Sequence, residues 1–230
     1  MTGLREVENW RSGRWRVVRI AGHAQDIHDR AADVERAPEV VIAEVTDAAI
    51  VLGSSQPVGD IDEAAARRLD LSVVKRRTGG GSVLVAPNSQ LWVDVIIGRD
   101  DPRWTDDVGE SPLWLGRVWQ EAFASLDMAT ELHLPPMAST RLSRLVCFAG
   151  RGPGELSIDG AKVMGVSQRR AAATARFQCL VPVAWDPDRL FAAVRGLGDD
   201  DRAELLETAA TIAVDRSRLE AEFLEVLAKT

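Results

Sequence analysis

Three consecutive glycines, Gly79-Gly80-Gly81, stand between the basic pair Arg76-Arg77 and the apolar run Ser82-Val83-Leu84-Val85. Glycine weakens a strand interior, so a row of three marks a place where another group must lie against bare backbone. Without a Cβ the chain reaches positive φ and nothing blocks the approach. Fixed positive charge just before the triplet suits a carboxylate or a phosphate. By itself the triplet also fits a glycine-rich turn beside solvated arginines. A lysine further along favours the pocket. Over residues 155–167, two β-like arms flank Asp159-Gly160, the two-residue signal of a type I′ hairpin. In that register Ser157 faces Lys162. Strict alternation puts Lys162 with Met164 and Val166 on one face, and Val163, Gly165 and Ser167 on the other. A lysine among apolar side chains is partly desolvated, and its ammonium then pairs strongly with an anion or with charge developing in a transition state. The alternative is a surface lysine whose head snorkels to water. Only three of the 28 basic residues are lysines, so Lys162 stands out weakly in an arginine-dominated chain.

Other chemistries find little support. His23, His28 and His133 lack metal-ligand spacing with each other or with Cys or carboxylate pairs, and no metal site is expected. The glycine loop is followed by no Gly-Lys-Ser/Thr and lies between strands, which excludes a P-loop and a dinucleotide fingerprint. No Gly-x-Ser-x-Gly elbow marks a serine nucleophile.

In order along the chain stand Val51-Leu52-Gly53-Ser54-Ser55-Gln56-Pro57, then Arg76-Arg77-Thr78-Gly79-Gly80-Gly81-Ser82-Val83, then Asp159-Gly160-Ala161-Lys162-Val163-Met164-Gly165-Val166-Ser167-Gln168-Arg169. These motifs resemble the lipoate-protein ligase A and octanoyltransferase family, relatives of the biotin-protein ligases, over residues 40–185. The family pattern is Arg-Arg-x-Ser/Thr-Gly-Gly-Gly-Ala-Val followed by Gly-x-Lys-x-x-Gly-Ser/x-Ala/Ser-Gln. The resemblance implies an α+β fold: a single biotin/lipoate-ligase-like domain over 1–230, with a mixed, largely antiparallel sheet flanked by helices; the chain ends too early for the small C-terminal accessory domain of long ligases, and none is expected. It implies that Gly79, Gly80 and Gly81, with Ser82 and Val83, line the acyl and activated head-group site. Arg77 becomes an anion contact, Gln56, Gly165 and Ser167 join the binding set, and Lys162 becomes the central catalytic residue. The glycine loop departs as well: many ligases follow it with His-Asp and Gly-Asn, whereas Leu84-Val85-Ala86-Pro87-Asn88 stands here.

The resemblance leads first to a ligase that attaches a lipoyl or octanoyl group to a lysine of a lipoyl domain or glycine-cleavage H-type protein. Such a ligase would use lipoic or octanoic acid, ATP and Mg2+, through an acyl-adenylate. The alternative is an ATP-independent octanoyltransferase, which needs no cofactor and takes its group from an octanoyl-carrier protein. That branch of the family carries a Cys-Phe pair like Cys147-Phe148 and uses the cysteine as acyl acceptor; nearby positive charge makes a thiolate available as nucleophile. A non-catalytic acyl- or carrier-binding module is the third reading. Cys179, among Phe177, Leu180 and Val181, reads as core.

Elements must position these groups. Strands are expected at 14–20, 72–77, 82–86, 91–97 and 177–185, with a further strand in the apolar run Ala48–Leu52. Helices are expected at 24–36, 61–70 and 187–195, and over about 200–228 with a break near Asp215. Ser111-Pro112 predicts a helix start with Ser111 as cap and Pro112 at its first position. Leu115, Val118, Trp119, Ala122, Phe123 and Leu126 then form one apolar stripe. The whole reads as α+β or mixed α/β around one large sheet.

The chain has 230 residues, 46% apolar and 27% charged, the composition of one large globular domain or two small ones. A net charge of −7 argues against binding nucleic acid, where affinity rests on neutralising phosphates. The same balance, and the lack of an apolar run of roughly 20 residues, argue against a membrane. Residues Met1 to Arg19 show no apolar signal segment, and two cysteines make no disulfide framework, so a cytoplasmic location is expected.

Overall fold

The computed structural model describes residues 3–230. The chain opens with β1 (Arg5–Ser12), β2 (Trp15–Gly22), α1 (Ala24–Asp29), β3 (Glu39–Val45) and β4 (Ala49–Leu52). It continues through α2 (Glu63–Arg68), β5 (Ser72–Lys75), β6 (Val83–Val85), β7 (Gln90–Gly98), α3 (Leu113–Ala124), β8 (Glu131–Leu132) and α4 (Arg141–Leu145). It ends with β9 (Leu156–Ile158), β10 (Ala161–Arg170), β11 (Thr174–Pro182), α5 (Pro187–Ala193), α6 (Asp199–Glu207) and α7 (Arg216–Ala228). An eight-stranded sheet runs β1-β2-β3-β7-β11-β10-β9-β8, and a three-stranded sheet runs β5-β4-β6. The pairs β2–β3 and β4–β5 are parallel and the other named pairs antiparallel. The fold is therefore α+β with a mixed, largely antiparallel sheet, as expected, but the strands divide between two sheets where one was expected.

Three apolar layers follow from which face each strand buries. The Leu115–Trp119–Phe123 stripe of α3 and Leu219–Phe223 of α7 pack on one face of the large sheet, against Val93, Val95 and Phe177. The opposite face, with Val18, Val41 and Trp92, meets Val51, Val83 and Val85 of the small sheet. The outer face of the small sheet, Ile50 and Leu52, is covered by Leu142, Leu190, Ala193 and Leu205 from α4, α5 and α6. Every residue of β7 is buried, because helices cover one side and the second sheet the other. Among the described residues no helix is long and apolar enough to cross a membrane.

Several boundaries moved for identifiable reasons. The helix expected over 24–36 stops at Asp29, because Arg176 takes the main-chain carbonyls of Ile27, His28 and Arg30 at 2.8, 3.3 and 2.6 Å. Arg176 is itself buried and paired with fully buried Asp94. The charged strand β1 gave no sequence signal because it is a largely exposed edge. Pro112, not Ser111, occupies the cap of α3, and no side chain caps it. The long C-terminal helix is two helices, and Asp215 caps the second by accepting from Ser217 and Arg218 amides.

Candidate active site

The type I′ turn forms as expected, with positive φ at both Asp159 (49°) and Gly160 (85°). Lys162 pairs with Ser157 across it. The expected alternation then breaks: a bulge between Lys162 and Met164 shifts the register. Val163 and Met164 both enter the core under α3, and Gly165, not Met164, joins Lys162 on the cleft side, its added Cβ lying 3.6 Å from the lysine Cδ. A bulge re-aims one side chain while keeping the strand paired. The main chain of Lys162 is held from the other edge as well. Its N–H donates to Thr208 and its carbonyl accepts from Ala210, both at 2.9 Å. The extended segment between α6 and α7 therefore finishes the sheet where β11 has already diverged.

Lys162 is 2% exposed. Its Nζ donates to Glu155 Oε2 at 2.8 Å and to the Cys147 carbonyl at 2.9 Å, and sits 5.3 Å from the centre of the Phe148 ring. Two of its three N–H groups are thus committed, leaving one for a bound group. Glu155 is fixed in turn by the amides of Gly152 (2.6 Å) and Val166 (3.3 Å). Glu155 was not singled out from the sequence. The signal was available: a buried ammonium needs a carboxylate partner, and Glu155 opens the arm facing it.

Each glycine of the triplet answers a different need. A Cβ added at Gly79 would meet nothing within 4 Å among the described residues, and the residue opens onto the cleft. Gly80 has φ +99°, and a Cβ there would stand 2.8 Å from an Arg76 guanidinium nitrogen and 3.6 Å from Cys147 Sγ. Gly81 lies against the main chain of the 143–147 segment, 2.7 Å from Val146 N for an added Cβ. Ser82 secures the same segment: its amide and hydroxyl donate to Leu145 O at 2.8 and 2.6 Å, and its carbonyl accepts from the Cys147 amide at 2.8 Å. Gln56 adds a bond to Leu145 O at 3.3 Å and leaves its buried Oε1 without a partner beside the cleft. Ser167 meets the Thr78 hydroxyl at 3.1 Å, tying β10 to the loop.

The basic pair is split differently from the sequence expectation. Arg77 points outward, 55% exposed and 3.4 Å from Asp29, and does not line the cleft. The buried partner is Arg76, whose guanidinium donates to Gly79 O (2.8 Å), Gly81 O (3.0 Å) and Cys147 Sγ (3.5 Å). Both arginines follow the end of β5 at Lys75, so strand periodicity does not fix which of them turns inward. Cys147 is half-buried beside this cation, whereas Cys179 is fully buried and its thiol pKa is pushed up by burial.

These parts surround a cleft of about 860 Å³, lined by Gln56, Gly79–Gly81, Cys147, Glu155, Lys162 and Ser167. Its rim carries Arg144, Arg151 and the Pro135-Pro136-Met137 turn. Val83 and Gly165 line a smaller recess behind it. Residues 24–212 match the lipoyl protein ligase A/B catalytic domain. The chain belongs to that family.

Within the lipoyl ligase family, the chain is 28% identical over 137 residues to an octanoyltransferase LipM from an Exiguobacterium species, covering 57% of this chain and 49% of that protein. The chain thus spans about half the length of the curated relative it matches. A lipoate-protein ligase A solved with bound ATP superposes with TM-score 0.72 at 14% identity, covering 95% of this chain and 85% of that one. A bipartite lipoate protein ligase from Thermoplasma acidophilum, studied with its E2 lipoyl domain, gives 0.64 at 15% identity over 83% and 70% of the two chains. At such identities the two structures report the shared fold.

His28 is the other buried titratable group beside the site. Burial first, then the charges of Arg76 and Arg176, lower its pKa from 6.5 to about 3. The unfolded chain therefore binds a proton between those values that the folded chain refuses. Stability from this group is complete above pH 6.5 and falls as pH drops toward 3, by about 1.4 kcal/mol per pH unit. Urea denaturation at pH 7 and pH 5 should show wild type losing roughly 2 kcal/mol more than His28→Phe; equal losses would place the proton elsewhere.

Proposed function

We propose that this chain attaches a lipoyl or octanoyl group to a lysine of a lipoyl-carrier domain, as a lipoate-protein ligase. The observation that carries the reading is Lys162, held by Glu155 and the Cys147 carbonyl with one N–H left for a ligand, across a cleft from the open backbone at Gly79. The acyl carbonyl lies between them. When the acceptor amine attacks, negative charge develops on the carbonyl oxygen, and a preset ammonium stabilises that charge more than the neutral ground state. The amine nitrogen bonds to the acyl carbon, the acyl–phosphate C–O bond breaks to release AMP, and the proton lost by the amine passes to the departing phosphate or to water.

The cations lining the cleft, Arg144, Arg151 and Lys162, together with the exposed amide at Gly79, form a donor set that fits phosphate groups. ATP, when bound, supplies activation of the free acid as an acyl-adenylate, with Mg2+ accompanying the phosphates. Among the described residues no three His, Cys, Asp or Glu side chains cluster to hold a metal.

One observation favours a second reading within the same site: Cys147 Sγ lies 3.5 Å from the Arg76 guanidinium and borders the cleft. There the thiolate would attack an octanoyl-carrier thioester, forming a Cys147 thioester and releasing the carrier thiol; the acceptor lysine then takes the acyl group and frees the cysteine. Intact mass after incubation with octanoyl-carrier protein and no nucleotide separates the routes. Pyrophosphate release with lipoate and ATP, and no acyl adduct, is the result expected of the ligase. An adduct that disappears in Cys147→Ala assigns the transferase instead. Ligand binding with neither signal would reduce the chain to a binding module.

A further inference from the structure

Behind the cleft lies a separate recess of about 50 Å³, between the two sheets. It shares Cys147, Glu155, Val166 and Ser167 with the cleft and is otherwise walled mostly by apolar side chains such as Val83, Val85 and Leu180. His28 lines it, its ring 4.7 Å from that of Trp92. The imidazole is neutral at physiological pH, for the reasons of burial and flanking arginine charge given above. Its Nδ1 stands 3.5 Å from the Gln178 side-chain amide nitrogen, and in the tautomer in which Nδ1 accepts from that amide the single ring proton sits on Nε2. That Nε2 is buried and has no partner among the described residues. Arg76, on the same wall, also leaves a buried Nε without a partner. Buried donors are almost always satisfied, and these two border a recess directly behind the reactive groups.

We propose that His28 is a specificity residue that donates from Nε2 to an acceptor atom at the far end of the bound acyl chain, so that the recess favours chains ending in sulfur or oxygen over plain hydrocarbon chains. The inference rests on the acyl-transfer reading and names the substrate class within it. A plain alkyl end would leave the Nε2–H unpaired in a dry recess, whereas an acceptor-bearing end satisfies it. A site with a buried donor discriminates against the analogue that lacks the acceptor, because the donor is then left unpaired.

The test compares octanoyl, lipoyl and 8-hydroxyoctanoyl substrates for transfer, and the three free acids for binding. Wild type should prefer the acceptor-bearing chains by roughly tenfold, the scale of one neutral hydrogen bond. His28→Phe should bring the ratio close to one, and His28→Gln, which keeps a donor, should restore part of it. Independently of any variant, 8-hydroxyoctanoic acid should shift the His28 Nε2 nitrogen resonance while octanoic acid leaves it near its free value. Equal rates for all three chains in wild type, or a ratio unchanged in His28→Phe, would overturn the role of His28 while leaving acyl transfer intact. If none of the acids binds and none of the groups is transferred, the acyl reading itself fails and this inference with it.

Discussion

Lys162→Met is expected to slow acyl transfer by about 100- to 1,000-fold, the usual loss when one donor to a developing oxyanion is removed. The substitution carries a second consequence. Glu155 is 6% exposed and would remain as a buried carboxylate without its cation. Breaking a buried pair from one side costs about 3–5 kcal/mol, so Lys162→Met alone loses stability as well as activity. The double variant Lys162→Met with Glu155→Gln removes the orphaned charge and should recover most of that stability. The decisive measurement is transfer rate against urea midpoint for both variants. A double variant that regains the wild-type midpoint and stays slow assigns the ammonium to the chemistry. One that regains activity along with stability would make Lys162 a structural residue.

The glycine loop gives the next largest effects, one of them with a loss of stability and one without. Gly81→Ala puts a Cβ within 2.8 Å of the backbone of Ser143 and Leu145 and 2.7 Å from Val146 N. Backbone cannot rotate aside like a flexible side chain, so the 143–147 segment must move. Cys147 and the carbonyl that holds Lys162 move with it. Destabilisation of about 1–3 kcal/mol, the cost of overpacking, should accompany nearly complete loss of transfer. Gly79→Ala meets nothing within 4 Å and should leave the melting temperature within a degree or two. Because that free space is the cleft, the same methyl should raise KM for the acyl substrate roughly tenfold or more. A Gly79→Ala enzyme with unchanged KM would mean that the ligand does not rest on this backbone, and that the loop serves only as a turn.

The sequence motifs are local, and that is why they were legible. A type I′ turn depends on two residues that tolerate positive φ, so Asp159-Gly160 and the Ser157–Lys162 pairing could be read directly. The α3 stripe needs only helical periodicity. What misled was the continuation of a local rule through a position where a distant group overrides it. The bulge after Lys162 broke the alternation that placed Gly165 opposite the lysine. The guanidinium of Arg176, far along the chain, ended α1 by capturing its last carbonyls.

By itself the sequence determined the glycine triplet, the hairpin lysine and the family pattern they carry, which depend on short-range spacing, and the α+β class followed from the resemblance. Only the tertiary structure decided that Arg76 rather than Arg77 turns inward, that Glu155 is the partner of Lys162, and that Cys147 and His28 line one recess. Those outcomes depend on how the small sheet seats on the large one, since desolvation and charge pairing are set by groups brought together from separate strands. A residue's type limits the chemistry open to it; burial and neighbours, contributed by the whole chain, select which of those chemistries it performs.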